Sequence, residues 1–264
     1  MPLFSGLHDR ECLLCPDEIL LRIFSFIHFT ERIVLRTVSR RWSSLLYDYS
    51  LLEDISITRS HCEDQQLSSL FAAAKRLIAV DFFNSRFLDG SCLLLGGLSG
   101  LRRLTLSGTS ITDGILSSIL RTTRDLEELH LIGTRISELG IPEIIALTKL
   151  KYIGFPPEGV CGFRRSGVLL IAKESPSLRI LDCQEGYFFV QEEISEIVSN
   201  NCNLTSLIIP YAFVDDNTFL FIIESLQNLT HICVCETNVS QACVDRTKIR
   251  KPLLNICWNV NHTP

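Results

Sequence analysis

Few side chains in this sequence are spaced for chemistry. Cys12 and Cys15 stand at Cys-x-x-Cys spacing, which supplies half of a tetrahedral zinc site. No second pair follows at zinc-finger spacing, and Cys15 opens a helical segment. Cys233 and Cys235 alternate along a stretch that reads as strand, so both thiols face one side, where they could hold a metal or oxidise. Two side-facing thiols without a task are the plainer reading. His130 and His231 face that same side from strands too far apart to make a dyad. A phosphate loop, a Gly-x-Ser-x-Gly elbow and a His-Glu-x-x-His helix are all absent. The expectation is a non-catalytic chain without metal or cofactor.

The frame that positions these residues is a large apolar core. The chain has 264 residues, 46% hydrophobic and 21% charged, which is globular composition. Its net charge of −5, with both signs interspersed, leaves no footprint for nucleic acid. No apolar stretch is long enough for a membrane span, and the start lacks the pattern of a signal peptide. Eleven cysteines, odd in number and irregular in spacing, read as reduced thiols of a cytoplasmic or nuclear protein. A secreted alternative would use the Asn-x-Ser/Thr triplets at Asn203, Asn228, Asn238 and Asn261 for glycans.

A repeat organises most of the chain. Segments of the form Leu-x-x-[Leu/Ile/Val]-x-apolar start at Leu52, Leu77, Leu101, Leu126, Leu150, Leu178, Leu204, Leu229 and Leu253, at steps of 24 to 28 residues. This is the leucine-rich-repeat signature. In "LRRLTL", Leu101, Leu104 and Leu106 point inward and Arg103 and Thr105 outward. One such strand cannot bury its face, so neighbours stack into a parallel sheet. Helical spacing between the strands appears at Ile115, Ile119 and Leu120, with Thr112 or Asp113 as cap, at Ile194, Ile197 and Val198, and at Phe219, Ile222 and Ile223. "SGTSIT", "IGTRIS" and "CETNVS" are turns after strands, leading to Ile111, Ile136 and Val239. The longest repeat carries "GFPPEGVCGFRRSG", where Pro156 and Pro157 forbid helix; a protruding loop and a neutral insertion both fit. The predicted fold is α/β: a small helical module, then a solenoid with its sheet concave and its helices convex. The predicted division is a tail over 1–10, the helical module over 11–50, and eight to nine repeats over 51–264.

The module begins with "CPDEILLRIFSFI". Pro16 suits a first helical turn, and Asp17 and Glu18 suit the positive end of the dipole. Ile19, Ile23, Phe26 and Ile27 form a stripe that Leu20 and Phe24 widen. In "RIVLRTVSRRWSSLLYDY", Val34, Leu35, Val38, Trp42, Leu45 and Leu46 recur at helical steps. Two or three short helices then carry more apolar surface than so small a unit can hide, and the surplus must meet the first repeat or another chain. Arg40 and Arg41 read as a solvated helix end near a negative dipole terminus.

These two blocks resemble the F-box: Pro16, Glu18, Ile19, Leu20, Ile23, Phe24, Val38, Arg40, Arg41 and Trp42 fall on its positions. Cys15 and Ser39 depart from its usual Leu and Cys. An F-box followed by leucine-rich repeats resembles the substrate receptors of SCF ubiquitin ligases. The resemblance implies docking of a Skp-type adaptor, and through it a cullin–RING scaffold, by Pro16, Ile19, Leu20, Ile23, Phe24, Ile27, Leu35, Val38 and Trp42, with Leu20, Ile23, Phe24 and Trp42 as central anchors. It also implies an unidentified protein substrate, marked for proteasomal degradation. The outward strand positions would meet it: Arg103, Thr105, Glu128, His130, Tyr152, Asp182, Ser206, Ile208, His231 and Cys233. Arg102 and Arg103 are expected to pair with Glu127 and Glu128 on the next strand. The alternative is a repeat scaffold outside any ligase, its helical start merely capping the solenoid.

Overall fold

A computed structural model describes residues 15–58, 71–72, 74, 76–85, 94–159, 162–184 and 187–258. Cys12 and Asn261 lie outside them, as does the predicted tail. Among the described residues three short helices come first: α1 (Asp17–Ser25), α2 (Phe29–Leu35) and α3 (Arg40–Leu45), closed by a 3-10 turn at Tyr49–Leu51. Nine strands follow: β1 (Asp54–Ser56), β2 (Ala79–Asp81), β3 (Arg103–Thr105), β4 (Glu128–His130), β5 (Tyr152–Gly154), β6 (Ile180–Asp182), β7 (Ser206–Ile208), β8 (His231–Cys233) and β9 (Asn255–Cys257). They pair in sequence order, all parallel, in one sheet. The described return segments include α4 (Asp113–Leu120), α5 (Ile141–Ile145), α6 (Arg165–Glu174), α7 (Gln191–Asn200), α8 (Asp216–Ser225) and α9 (Gln241–Arg250). No described helix is long and apolar enough to cross a membrane.

Each strand starts two residues after its leading leucine, as the period requires. The central strand residues Ile55, Val80, Leu104, Leu129, Ile153, Leu181, Leu207 and Ile232 stack in register and are buried, as are the leading leucines from Leu52 to Leu229. A third ladder, Ile57, Phe82, Leu106, Leu131, Phe155, Cys183, Ile209 and Val234, lies one residue past the strands. The ninth repeat departs: Leu253 is 94% exposed and Leu254 is buried in its place. The Leu254 N–H donates to the Lys251 carbonyl at 3.1 Å, as that of Leu229 does to the Leu226 carbonyl at 3.2 Å, so Leu254 holds the leading position one residue nearer its strand. The helical positions read from spacing, among them Ile119, Ile197 and Phe219, all point into the core.

The turns after the strands have a common chemistry. Asn84, Gly108, Gly133, Tyr211 and Glu236, each three residues past a strand end, take left-handed φ values of 53°, 70°, 68°, 63° and 56°. Thr109, Thr134 and Thr237 then donate back to the carbonyls of Leu106, Leu131 and Val234 at 2.5–2.7 Å. Gly108 is needed for a second reason, since a Cβ there would stand 1.8 Å from Asn84 Oδ1.

Neighbouring repeats are also clasped on the convex side. Thr112 is the N-cap of α4 but makes no side-chain cap bond, which corrects the expected capping. Asp113 instead accepts from the Ser137 N–H at 2.9 Å and the Ser137 hydroxyl at 2.7 Å, one repeat on. Asp216 and Ser240 repeat the clasp at 2.7 and 2.6 Å. Asp113→Ala leaves two half-buried donors on Ser137 without their acceptor and is expected to cost about 1–2 kcal/mol, read as a lowered denaturant midpoint at unchanged slope.

The irregular repeat folds inward where it is described. Residues 160 and 161 lie outside the described set. Phe163 is fully buried with its ring centroid 6.0 Å from that of Phe155. The Gly159 N–H donates to the Phe163 carbonyl at 2.7 Å, and buried Tyr187 donates to the Pro156 carbonyl at 2.5 Å. Arg165 completes the tie with ion pairs to Glu158 (3.1 Å) and Glu193 (3.2 Å).

Candidate docking surfaces

The helical module divides its apolar residues between inside and outside. Leu20, Phe24, Leu46 and Leu51 form its core, with Cys15, Leu21, Ile27, Leu35, Trp42 and Leu45 packed against them. Phe24 meets Trp42 edge to face at 5.0 Å. Leu20 and Phe24 are therefore corrected from docking anchors to core residues: at 4% and 1% exposure they have almost no surface to offer. A helix that packs on one neighbour must bury one of its stripes, and α1 buries this one.

The other stripe stays open. Ile19 and Ile23 are each 49% exposed, Val38 53%, Val34 67% and Phe26 82%. Pro16 is exposed beside them, while Ile27, Leu35 and Trp42 are half-buried. Phe26 and Val34 were not among the predicted docking residues. Their place in the stripe and the helical repeat was visible, but not that both would end up on the outer side. Part of the surplus surface does meet the solenoid. Phe29 is buried in the main core beside Leu52 and Ile55, and Ile33 and Tyr47 pack against that core.

Arg41 is not a solvated helix end. It lies in the first turn of α3, where Ser39 accepts from the Trp42 N–H at 3.1 Å as N-cap. Ser39 thus has a local task that its departure from the usual Cys did not suggest. Arg41 reaches back to Asp17 at 2.6 and 2.9 Å and to the Cys15 carbonyl at 2.5 Å, holding α3 to the start of α1. Arg32 joins three more carbonyls, those of Ile27 (2.6 Å), Leu51 (3.0 Å) and Ser25 (3.4 Å), and burial pulls its pKa down from the usual guanidinium value.

On the concave side, three predicted contact residues are brought together. His130 stacks on Tyr152 with centroids 4.0 Å apart, and the Tyr152 hydroxyl donates to Asp182 at 2.9 Å. Gly154 makes room, because a Cβ there would meet the Tyr152 oxygen at 3.0 Å. Asp182 and Ser206 are 3% and 7% exposed, so both are corrected from displayed contacts to covered ones. Arg103, Thr105, Glu128, Tyr152, His130 and His231 remain at least partly exposed, as do Ile208 and Cys233. Arg102 bonds Glu127 at 2.8 Å as expected, whereas Arg103 turns the other way and pairs with Asp54 at 2.9 Å. The in-register residue between them is Ala79, too short to block the reach.

Burial pushes the His130 pKa below its ordinary value, with nearby Asp81 pulling the other way; burial and then Asp182 push the Tyr152 hydroxyl far up. The unfolded chain then takes the His130 proton more readily than the folded one, so stability is full above about pH 6.5 and falls as pH drops below it. His130→Phe keeps the stack and is expected to flatten the fall in Tm between about pH 7 and pH 5. An unchanged slope would rule His130 out as its source.

With this geometry in view, residues 15–58 match the F-box-like family. A ribonuclease inhibitor from Sus scrofa is 31% identical over 38% of this chain and a quarter (25%) of its own length. The solenoid superposes on an internalin from Listeria monocytogenes with TM-score 0.53, at 16% identity, over 83% of this chain and 57% of that one. It also superposes on a chain of the Rad7 and Elc1 complex in yeast with TM-score 0.55, at 18% identity, over 83% and 57%. The chain carries an F-box-like segment over residues 15–58 followed by a solenoid with the leucine-rich-repeat period. The solved structures support the solenoid fold alone. Among the described residues no cluster of three or more His, Cys, Asp or Glu could hold a metal ion.

Proposed function

We propose that this F-box and leucine-rich-repeat protein is the substrate-recognition subunit of an SCF-type ubiquitin ligase. The observation that carries the reading is the exposure of five apolar side chains, Ile19, Ile23, Phe26, Val34 and Val38, on a helical module that has a core of its own. A Skp-type adaptor would cover that stripe, with Trp42 and Ile27 at its edge. Each aliphatic or aromatic side chain fully buried there adds roughly 1.5–3 kcal/mol in transfer terms. The similar solenoid of known structure that sits in a two-protein complex, Rad7 with Elc1, is consistent with such a role.

The division of labour we propose puts the adaptor on residues 11–50 and the substrate on the repeats from 51 onward. Because Phe29, Ile33 and Tyr47 seat the helical module on the first repeat, the two ends form a continuous lever. Such a receptor works by position: a substrate held beside a charged conjugating enzyme gains effective concentration for attack by its lysines. Arg103, Glu128, His130, Tyr152 and His231 are the concave residues proposed to meet it.

The same seating favours the second reading, a scaffold outside any ligase whose helices only close the end of the solenoid. Affinity purification of the full chain from cells with the proteasome inhibited separates the two. The ligase reading expects a Skp-type adaptor and a cullin subunit in the eluate. An eluate with partners of the concave face but neither of these would support the scaffold.

A further inference from the structure

The two cysteines near the last coils form a site that the docking reading does not use. Cys233 ends β8 and Cys235 opens the following turn; their Sγ atoms are 3.5 Å apart, and both side chains are half-buried. The turn continues through Glu236 with φ 56°. Cys257, also half-buried, is the in-register partner of Cys233 on β9. Of the other described thiols, Cys183 and Cys243 are buried, Cys202 is exposed at the start of another repeat, and half-buried Cys15 lies in the helical module.

We propose that Cys233 and Cys235 are a reversible oxidation site, a dithiol that closes to an intramolecular disulfide by exchange with a small-molecule disulfide such as oxidised glutathione. The two Sγ atoms already touch, so closure needs rotation about the Cα–Cβ bonds and a shift of the turn. Burial pushes the Cys233 thiol up to about 11, so Cys233 stays protonated near neutral pH and is assigned the second displacement.

The exchange balances in two displacements. The Cys235 thiolate attacks one sulfur of the small disulfide; that S–S bond breaks, and one small thiolate leaves and takes a proton. Cys233 then loses its proton to water and attacks the Cys235 sulfur. The mixed disulfide breaks, the Cys233–Cys235 bond forms, and the second small thiolate leaves. Two protein thiols are oxidised by two electrons and one small disulfide is reduced to two thiols.

Closure has a structural consequence within the same repeats. The Cys235 carbonyl accepts from the Tyr211 N–H at 2.9 Å and the Cys233 carbonyl from the Ile209 N–H at 3.0 Å. Drawing Cys235 toward the strand therefore moves the turn that carries Tyr211 and Phe213, 45% and 58% exposed on the rim of the concave face. The site does not depend on the adaptor reading.

The test uses the full-length chain, folded and reduced, treated with oxidised glutathione. Intact mass is expected to fall by two hydrogens without a lasting glutathione adduct, and peptide mapping to find Cys233 joined to Cys235. A persistent adduct on Cys235, or a link from Cys233 to Cys257, would overturn the pairing, and both are read on the unsubstituted chain. Phenylarsine oxide, which chelates paired thiols, supplies an independent readout. Cys233→Ser and Cys235→Ser are each expected to weaken its binding by on the order of 100-fold, because the second thiol acts at high effective concentration. Cys257→Ser is expected to leave it unchanged, and equal loss in all three variants would also overturn the assignment.

Discussion

Replacing Ile23 and Val38 together by aspartate is expected to weaken binding of a Skp-type adaptor by on the order of 10³-fold, with the thermal midpoint of the chain nearly unchanged. Both side chains are about half exposed in the free molecule and belong to no described core cluster, so the fold does not use them. A surface substitution of that kind moves stability by only about 0.5 kcal/mol. In the complex the same positions would be desolvated, and a carboxylate there would lose its water without gaining a partner. Two anchors at about 2 kcal/mol each give the stated factor. Titration of the purified adaptor onto the wild-type and doubly substituted chains, beside their melting curves, measures both halves. Unchanged affinity in a folded double variant would remove the stripe from the interface.

Phe24→Ala is expected to do the reverse, destabilising the helical module by about 3–5 kcal/mol. Phe24 is 1% exposed, meets Trp42 edge to face, and among the described residues shares the module's core with Leu20, Leu46 and Leu51. The cavity left by the ring adds to the lost transfer energy. Trp42 reports the event, its fluorescence changing at lower denaturant in the variant while the solenoid strands melt near their usual midpoint. Adaptor binding would also be lost, through unfolding and without any direct contact by Phe24. Melting behaviour thus separates this variant from the aspartate pair, and an unaltered Trp42 transition would refute the burial assigned to Phe24.

Ile23 and Phe24 are consecutive residues of α1, yet they have opposite roles. Nothing in "EILLRIF" says which of Ile23 and Phe24 faces inward, because a stripe that broad has two possible inner edges. The choice was made by α3, whose Trp42 meets Phe24, and by the Arg41–Asp17 pair that holds α3 against the start of α1. Arg41 looked like a solvated charge because its partner stands 24 residues earlier, outside any local pattern. Arg103 is a similar case: its nearest opposite charge in register is Glu128, yet it reaches across Ala79 to Asp54.

The solenoid was far more legible. A stacked repeat makes the same contact again and again with its nearest neighbours, so strand starts, leading leucines and helix anchors recur at one period and can be read from spacing. Eight of the nine predicted leading leucines are buried; in the ninth repeat Leu254 is buried in place of Leu253. Local chemistry was equally readable where it depends on a few consecutive residues, as in the turns through Gly108 and Gly133.

Order along the chain, then, was enough to read the repeat step, sheet direction and the face each strand turns inward, since those follow from side-chain alternation and a fixed step. The three-dimensional packing alone decided which apolar residues of the helical module stay uncovered, that Asp182 lies beneath Tyr152, and that two thiols touch. Periodicity shows that a face is apolar. Which neighbour covers it is a matter of contacts between residues distant in sequence, and these leave no local trace.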